Sequence, residues 1–91
     1  MAIAVQFTQS SMTTEQYENG LRSLDEAGEG SPEGRTFHAC YGESGALRVF
    51  DVWESQESFD RFGEKLMPIA QELGIDLGQP EVAPLENVIE A

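Results

Sequence analysis

The one histidine of this 91-residue chain, His38, is the first residue to examine for chemistry. Imidazole is the only side chain that titrates near neutral pH without help from its surroundings, so it suits a general acid or base. Three roles are open to His38: a structural or ligand-orienting hydrogen bond, proton transfer in catalysis, and ligation of a metal or haem. The third role needs more ligands than this sequence supplies, so we predict no metal site and no cofactor.

Asp51 is the residue best placed to act with His38. If the strands that carry them form an antiparallel hairpin, both side chains lie on the same face of the sheet. A carboxylate beside an imidazole favours the protonated ring and fixes its tautomer. His38 and Asp51 are therefore the predicted catalytic pair, although an ion pair of Asp51 with Arg35 or Arg48 is an alternative use of the carboxylate.

Aromatic side chains near this pair are the candidates for a ligand pocket. Trp53 ends a strand just before a helix cap, where its ring either seals the core or provides a flat wall for an aromatic ligand. Phe62 belongs to an apolar helical stripe and is the member of that stripe expected to reach a pocket. Tyr17 brings a hydroxyl group that needs a partner if it is buried.

The composition excludes several classes of function. Seventeen acidic residues against five basic ones give a net charge of −12, which phosphate backbones and anionic lipids repel, so we expect neither nucleic-acid nor membrane binding. Cys40 is the only cysteine, which predicts a small buried hydrophobe and no intrachain disulfide. The first six residues lack the basic and apolar regions of a signal peptide, which predicts a cytoplasmic protein.

Four strands are predicted from alternating or β-rich runs. They cover residues 2–8, 36–41, 46–53 and 82–89. The middle two flank a short loop and form a hairpin in which Tyr41 faces Ala46. Under that pairing one face carries His38, Cys40, Leu47, Val49, Asp51 and Trp53. Pro84 places the start of the last strand at a sheet edge.

Two helices separate these strands. Thr13 and Gln16 form a capping-box pattern that begins the first helix. Its buried side is predicted to carry Tyr17, Leu21 and Leu24. Ser55 caps the second helix, which reaches Gly74 and contains Pro68, where we expect a kink or a break. The order β-α-β-β-α-β is that of a ferredoxin-like α+β fold, a four-stranded antiparallel sheet with two helices on one face.

One face of the predicted sheet is left without cover. Two helices cover only one face, yet the opposite face of the hairpin is also largely apolar. That face carries Phe37, Ala39, Tyr41, Arg48, Phe50 and Val52. A twofold dimer packs two such faces together with no additional sequence. We therefore expect a single domain over residues 1–91 that works as a homodimer, with its two sheets forming an α/β barrel.

The segment DVWESQESFDRF, residues 51–62, resembles the D-V-W-E-S-x-E-x-F signature of the dimeric α/β-barrel superfamily, which includes proteins labelled antibiotic biosynthesis monooxygenase. The stretches GRTFH, GALRVFDVW and LMP are similar to small uncharacterised members of actinobacterial type. The resemblance implies a pocket between sheet and helices, lined by the Trp that matches Trp53. Oxygenase and haem-degrading branches also use an Asn near the end of the first strand, where this chain has Gln6 or Thr8. They use a His on the second helix as well, and this chain has none there.

Gln6 thus joins Trp53, Phe62 and Tyr17 as a predicted pocket residue. The superfamily contains cofactor-free oxygenases, isomerases and haem-degrading enzymes, so the resemblance implies the fold more than the chemistry. One hypothesis is a homodimer that binds a small aromatic molecule without catalysis. The alternative is a cofactor-independent monooxygenase or isomerase in which His38 moves a proton of an aromatic or polyketide-like substrate. Haem binding or degradation is a third hypothesis, and it lacks a convincing axial ligand.

Overall fold

The computed structural model describes residues 1–8 and 11–90. Its elements are β1 (Ile3–Thr8), α1 (Thr14–Glu26), β2 (Arg35–Tyr41), β3 (Arg48–Trp53), α2 (Gln56–Glu72) and β4 (Glu81–Pro84). The strands form one four-stranded sheet in the order β2-β3-β1-β4, and each neighbouring pair is antiparallel. The predicted ferredoxin-like α+β fold is therefore confirmed. No helix in the described part of the chain is long and apolar enough to span a membrane.

The alternation of β1 divides the sheet into two faces. Ile3, Val5 and Phe7 are buried in the core, whereas Ala4 and Gln6 lie on the opposite face. Because β1 lies between β3 and β4, its buried residues form the centre of the core. The face that they share with the helices is the one that carries the candidate site.

The hairpin of β2 and β3 forms with a longer connection than predicted. Tyr41 pairs with Arg48 rather than with Ala46, a shift of two residues. The residues of the connection bond elsewhere, because the amides of Gly45 and Leu47 both donate to the carbonyl of Met12, at 2.9 and 3.2 Å. A shift of two residues preserves the alternation of side chains, so the two predicted faces are unchanged.

Both helices begin at the predicted caps. The Thr13 hydroxyl accepts from the amide of Gln16 at 3.1 Å, and the Gln16 side chain accepts from the amide of Thr13 at 3.0 Å. The Ser55 hydroxyl accepts from the amide of Ser58 in the same way, at 3.1 Å. These bonds satisfy amides that have no partner inside the helix.

Pro68 does not break α2, which corrects one of the two expected outcomes, the break; the kink stays a prediction. The helix continues from Gln56 to Glu72 across the proline. Proline removes one backbone hydrogen bond, but the buried side chains of Phe62 and Ala70 hold the helix against the core on both sides of it. Tertiary packing therefore outweighs the local cost.

The last strand is shorter than predicted, spanning Glu81–Pro84 instead of residues 82–89. It pairs with β1 from Gln6 to Ile3, and one further bond joins the amide of Leu85 to the carbonyl of Ala2 at 3.0 Å. Accordingly Ile89, predicted to lie in the strand, is 85% exposed.

Candidate functional site

A cavity of about 80 Å³ lies between the sheet and the two helices. Most of its wall is apolar and includes Phe7, Leu24, Val49, Phe62, Leu66 and Ile69. Four polar side chains also line it, namely Tyr17, Arg35, His38 and Asp51. An apolar cavity with a few converging polar groups is the usual form of a small-molecule site.

Tyr17, His38 and Asp51 form a hydrogen-bonded chain in the wall of this cavity. Asp51 Oδ1 lies 2.6 Å from His38 Nδ1, and His38 Nε2 lies 2.6 Å from the Tyr17 hydroxyl oxygen. A carboxylate can only accept, so Nδ1 carries the hydrogen of this bond. In the neutral imidazole Nε2 is then an acceptor, and the Tyr17 hydroxyl donates to it. The bonds thus select one tautomer and direct its basic nitrogen at a phenol.

The fold brings these three residues together from distant parts of the chain. His38 and Asp51 are directly paired across β2 and β3. On the other side of Asp51, β1 contributes Val5, which is fully buried, and the carboxylate residue itself is only 2% exposed. Tyr17 comes from α1, and its ring lies nearly parallel to that of His38, with an angle of 7° between the planes. Asp51 therefore has His38 as its partner and no arginine among the described residues.

The surroundings of Tyr17 keep its hydroxyl protonated. Burial raises the pKa of Tyr17 above its ordinary value of 10.0; nearby Cys40 adds to the increase, Arg35 opposes it, and Asp51 adds to it. At neutral pH the hydroxyl is therefore available as a donor. Cys40 is half-buried against the core, and burial raises the pKa of its thiol as well. A reactive thiolate is thus disfavoured at neutral pH.

Arg35 is a cavity residue that the sequence did not identify as part of the site. β2 contains a bulge between Arg35 and Phe37. In a regular strand Arg35 and His38 would face opposite sides, but the extra residue turns both toward the helices. The Arg35 guanidinium carbon then lies 5.8 Å from the centre of the Phe62 ring. No pattern in the sequence marks the bulge, so no local signal could have placed Arg35 here.

Trp53 does not line the cavity, although it was one of the predicted pocket residues. Its side chain is fully buried beneath α2, with its ring centre 5.7 Å from that of Phe59 and 5.1 Å from that of Phe62. Trp53 is absent from the cavity wall and packs against these two rings, so the structure favours the core-packing alternative. The indole Nε1 has no hydrogen-bond partner in the described part of the protein.

Gln6 lies on the opposite face of the sheet, which corrects its prediction as a pocket residue. Its amide donates to the Tyr41 hydroxyl at 2.9 Å and to the Val49 carbonyl at 3.4 Å. The reason is the period of two in β1, which sends Gln6 outward when Val5 and Phe7 face the core. Of the predicted pocket residues, Tyr17 and Phe62 do line the cavity.

No cluster of three His, Cys, Asp or Glu residues suited to a metal ion occurs within residues 1–8 and 11–90. The polar groups that the structure does bring together are the hydrogen-bonded chain and Arg35. This donor set can bind an oxygen atom of a ligand and move a proton.

Comparison with solved structures identifies proteins of the same fold. A conserved protein from Methanosarcina mazei matches with a TM-score of 0.66 at 18% identity, covering 94% of each chain. A candidate antibiotic biosynthesis monooxygenase from Deinococcus radiodurans matches with a TM-score of 0.62 at 11% identity, over 100% of this chain and 98% of that one. SnoaB, a cofactor-independent oxygenase from Streptomyces nogalater, matches with a TM-score of 0.63 at 14% identity, over 99% and 96%.

The sequence itself matches no protein-family model and no curated protein. At identities below one fifth, the structural similarities establish the fold, which this chain shares with antibiotic biosynthesis monooxygenase-like proteins. Fold alone does not determine chemistry, so function must be argued from the cavity and its polar groups.

Proposed function

We propose that this protein binds a small aromatic compound carrying a hydroxyl group in the cavity beside Tyr17, His38 and Asp51. The observation that carries the proposal is the hydrogen-bonded chain in the wall of an otherwise apolar cavity. Apolar walls accommodate a ring, and the Tyr17 oxygen, whose hydrogen is donated to His38 Nε2, can accept a hydrogen bond from the hydroxyl of the ligand. Such a combination fixes both the position and the orientation of a ligand.

The volume of the cavity limits the size of this ligand. An apolar cavity of about 150 Å³ holds a benzene molecule, whereas this one measures about 80 Å³. A single ring therefore requires an outward movement of a side chain at the mouth. Leu21 lines the cavity and is 41% exposed, although the sequence predicted it to be buried, so it can move at little cost. We infer a single-ring ligand.

A catalytic role is the second candidate, and the orientation of His38 favours it. Asp51 holds the hydrogen on Nδ1, which leaves Nε2 as the base. A substrate hydroxyl at Tyr17 would pass its proton to Nε2, directly or through the phenol. The electron-rich anion could then react with dioxygen at a ring carbon beside the hydroxyl, which carries two hydrogens in the keto tautomer: one oxygen atom replaces these two hydrogens as a carbonyl, and the other leaves as water. Such a reaction would resemble the cofactor-independent oxygenase activity named for SnoaB.

The open face of the sheet supports a homodimer as the working form. Phe37 is 51% exposed and Tyr41 44% exposed on this face. The Phe37 ring meets that of Phe50 edge-on, with centres 6.2 Å apart, so these two rings form one aromatic patch. A twofold axis through this patch would bury it against its own copy.

Binding can be tested by titrating the protein with 4-nitrophenol, whose absorbance reports both binding and ionisation. We expect saturable binding that weakens by about tenfold in Tyr17→Phe and in His38→Gln, because the first change removes the hydrogen bond to the ligand and the second removes the imidazole that orients the Tyr17 hydroxyl. Tyr41→Phe is the matched control, since its hydroxyl lies on the other face of the sheet. Equal binding by all four proteins would place the ligand outside the cavity, and no binding by the wild type would refute the proposal.

Catalysis can be tested separately by measuring oxygen uptake with single-ring phenols, beginning with resorcinol. The enzymatic hypothesis predicts uptake that depends on the protein and falls by about 100-fold or more in His38→Gln, the contribution typical of a general base. Saturable binding without oxygen uptake would favour the non-catalytic function.

A further inference from the structure

We propose that Arg35 makes the cavity selective for the ionised form of its ligand, so that the preferred ligand is a small aromatic anion whose charged oxygen contacts the guanidinium. The inference rests on the proposed ligand-binding function and adds the charge of the ligand to it. It names Arg35 as a specificity-determining residue, which nothing in the sequence pattern marks.

The backbone around Arg35 is built to direct this side chain into the cavity. Its amide donates to the Pro32 carbonyl at 3.3 Å, and the residue pairs with Trp53 across the hairpin. Thr36 is the extra residue of the bulge that follows, and its hydroxyl donates to the Val52 carbonyl at 3.4 Å. Bulges often re-aim a side chain beside a functional site, and this one places a cation on the same side as His38.

Among the described residues, no group accepts a hydrogen bond from the Arg35 guanidinium. Within residues 1–8 and 11–90, Arg35 forms no ion pair and no side-chain hydrogen bond. Carboxylates are abundant, since the chain has seventeen acidic residues, and Arg61 on the surface does approach Glu57 to 3.5 Å. The absence of a partner for Arg35 therefore does not reflect a shortage of acceptors.

A cation–π contact helps to hold Arg35 without using its hydrogen-bond donors. The guanidinium carbon lies over the Phe62 ring, 5.8 Å from its centre. The five N–H donors point along the edges of the guanidinium. They match an oxyanion, which accepts stronger hydrogen bonds than a neutral oxygen does.

The positive charge acts on the same end of the cavity as the hydrogen-bonded chain. Arg35 is the one group that opposes the increase in the pKa of Tyr17, so its field reaches the Tyr17 hydroxyl. Arg35 would favour the anionic form of a ligand oxygen that contacts the guanidinium, whereas the burial and the Asp51 charge that raise the pKa of Tyr17 act against it. The net charge of −12 repels anions at long range, but salt screens that repulsion over about 8 Å at physiological ionic strength. Selectivity must therefore come from a local cation.

The test compares 4-nitrophenol, which ionises, with 4-nitroanisole, which has the same ring but cannot ionise. We expect wild-type protein to bind 4-nitrophenol at least about tenfold more tightly near neutral pH, and to shift its ionisation to lower pH. Arg35→Met keeps the stem of the side chain, and should bind 4-nitrophenol more weakly and without the shift in its ionisation, while its Kd for 4-nitroanisole stays that of the wild type. Arg35→Lys, which keeps the charge, should retain part of the preference.

Arg48→Met is the matched control, because Arg48 is an exposed arginine on the other face of the sheet, and it should behave as the wild type does. If Arg35→Met binds 4-nitrophenol as tightly as the wild type does and shifts its ionisation equally, the role of Arg35 is overturned while ligand binding stays intact. If the wild type binds neither compound, the proposed function fails, and the charge selectivity fails with it. The two failures are therefore distinguishable.

Discussion

At the scale of single residues, Tyr17, His38 and Asp51 act as one unit, because each hydrogen bond determines the next. The buried carboxylate decides which imidazole nitrogen carries the hydrogen, and that choice decides whether the phenol can donate. A substitution at one of the three residues should therefore alter the hydrogen bonds of the other two. The effects of single substitutions on the free energy of unfolding will then not be additive.

Asp51→Asn tests this coupling directly. An amide can donate to Nδ1, so part of the population should adopt the Nε2–H tautomer, in which Nε2 no longer accepts from Tyr17. NMR of the imidazole nitrogens distinguishes the two tautomers. We expect the Nδ1–H form alone in the wild type, a mixture in the variant, and a loss of about 1–3 kcal/mol in the free energy of unfolding. An unchanged tautomer in Asp51→Asn would show that the carboxylate does not control the imidazole.

The raised pKa of Tyr17 predicts a loss of stability at alkaline pH. The unfolded phenol loses its proton near pH 10, whereas the folded one holds it to higher pH. The unfolded state is therefore favoured as the pH rises through this window, and the stabilisation is complete only below it. Urea denaturation above about pH 10 should show the wild type weakening more steeply than Tyr17→Phe, with Tyr41→Phe following the wild type. Parallel curves for the wild type and Tyr17→Phe would contradict the prediction.

At the scale of elements, the connection between the loop before β2 and the start of α2 is unusually close. Gly34 has φ of +94°, and a Cβ atom added there would lie 2.5 Å from the Cβ of Ser58. This contact helps to set the position of β2, and hence of Arg35, relative to α2. Only glycine allows both the backbone conformation and the approach.

Gly34→Ala is therefore expected to destabilise the protein by more than the strain of an alanine with positive φ alone. Gly45→Ala is the control, because Gly45 has φ of +97° and open space around its Cβ position. We expect about 1–2 kcal/mol for the control and about 1–3 kcal/mol more for Gly34→Ala, since the clash adds to the backbone strain. Chemical denaturation measures the free energy of unfolding of both variants. Equal losses of free energy in the two variants would mean that the loop at Gly34 moves away from Ser58 without an energetic cost.

At the scale of the whole molecule, the apolar open face is the feature that the monomer does not explain. Phe37 and Tyr41 are exposed on the sheet, while the helices cover only the side with the cavity. A helical surface residue such as Met67 is also exposed, at 58%, but it stands apart from the aromatic patch. The two positions therefore allow the dimer proposal to be tested against a matched control.

We expect the wild type to have twice the 10.0 kDa mass of one chain in light scattering. Phe37→Asp should give a monomer, because a charge at the centre of a twofold patch meets its own copy. Met67→Asp should leave the mass unchanged. A wild-type monomer at micromolar concentration would contradict the homodimer, and a dimeric Phe37→Asp would place the interface elsewhere.

Much of the fold followed from the sequence, because capping and alternation depend on residues close together in the chain. Thr13 with Gln16 and Ser55 marked the helix starts, and the period of two placed His38 and Asp51 on a common face even though the predicted pairing was two residues out. The exposed face of Phe37 and Tyr41 was predicted by the same alternation.

Only the tertiary structure decided which of these residues meet. Tyr17 reaches His38, and α2 covers Trp53, through packing between segments far apart in sequence. The bulge that turns Arg35 into the cavity leaves no local pattern, because it depends on how β2 is held between the loop before it and β3. The sequence by itself therefore determined the elements and their faces. The three-dimensional contacts determined the site, since its geometry depends on atoms that the chain brings together only when it folds.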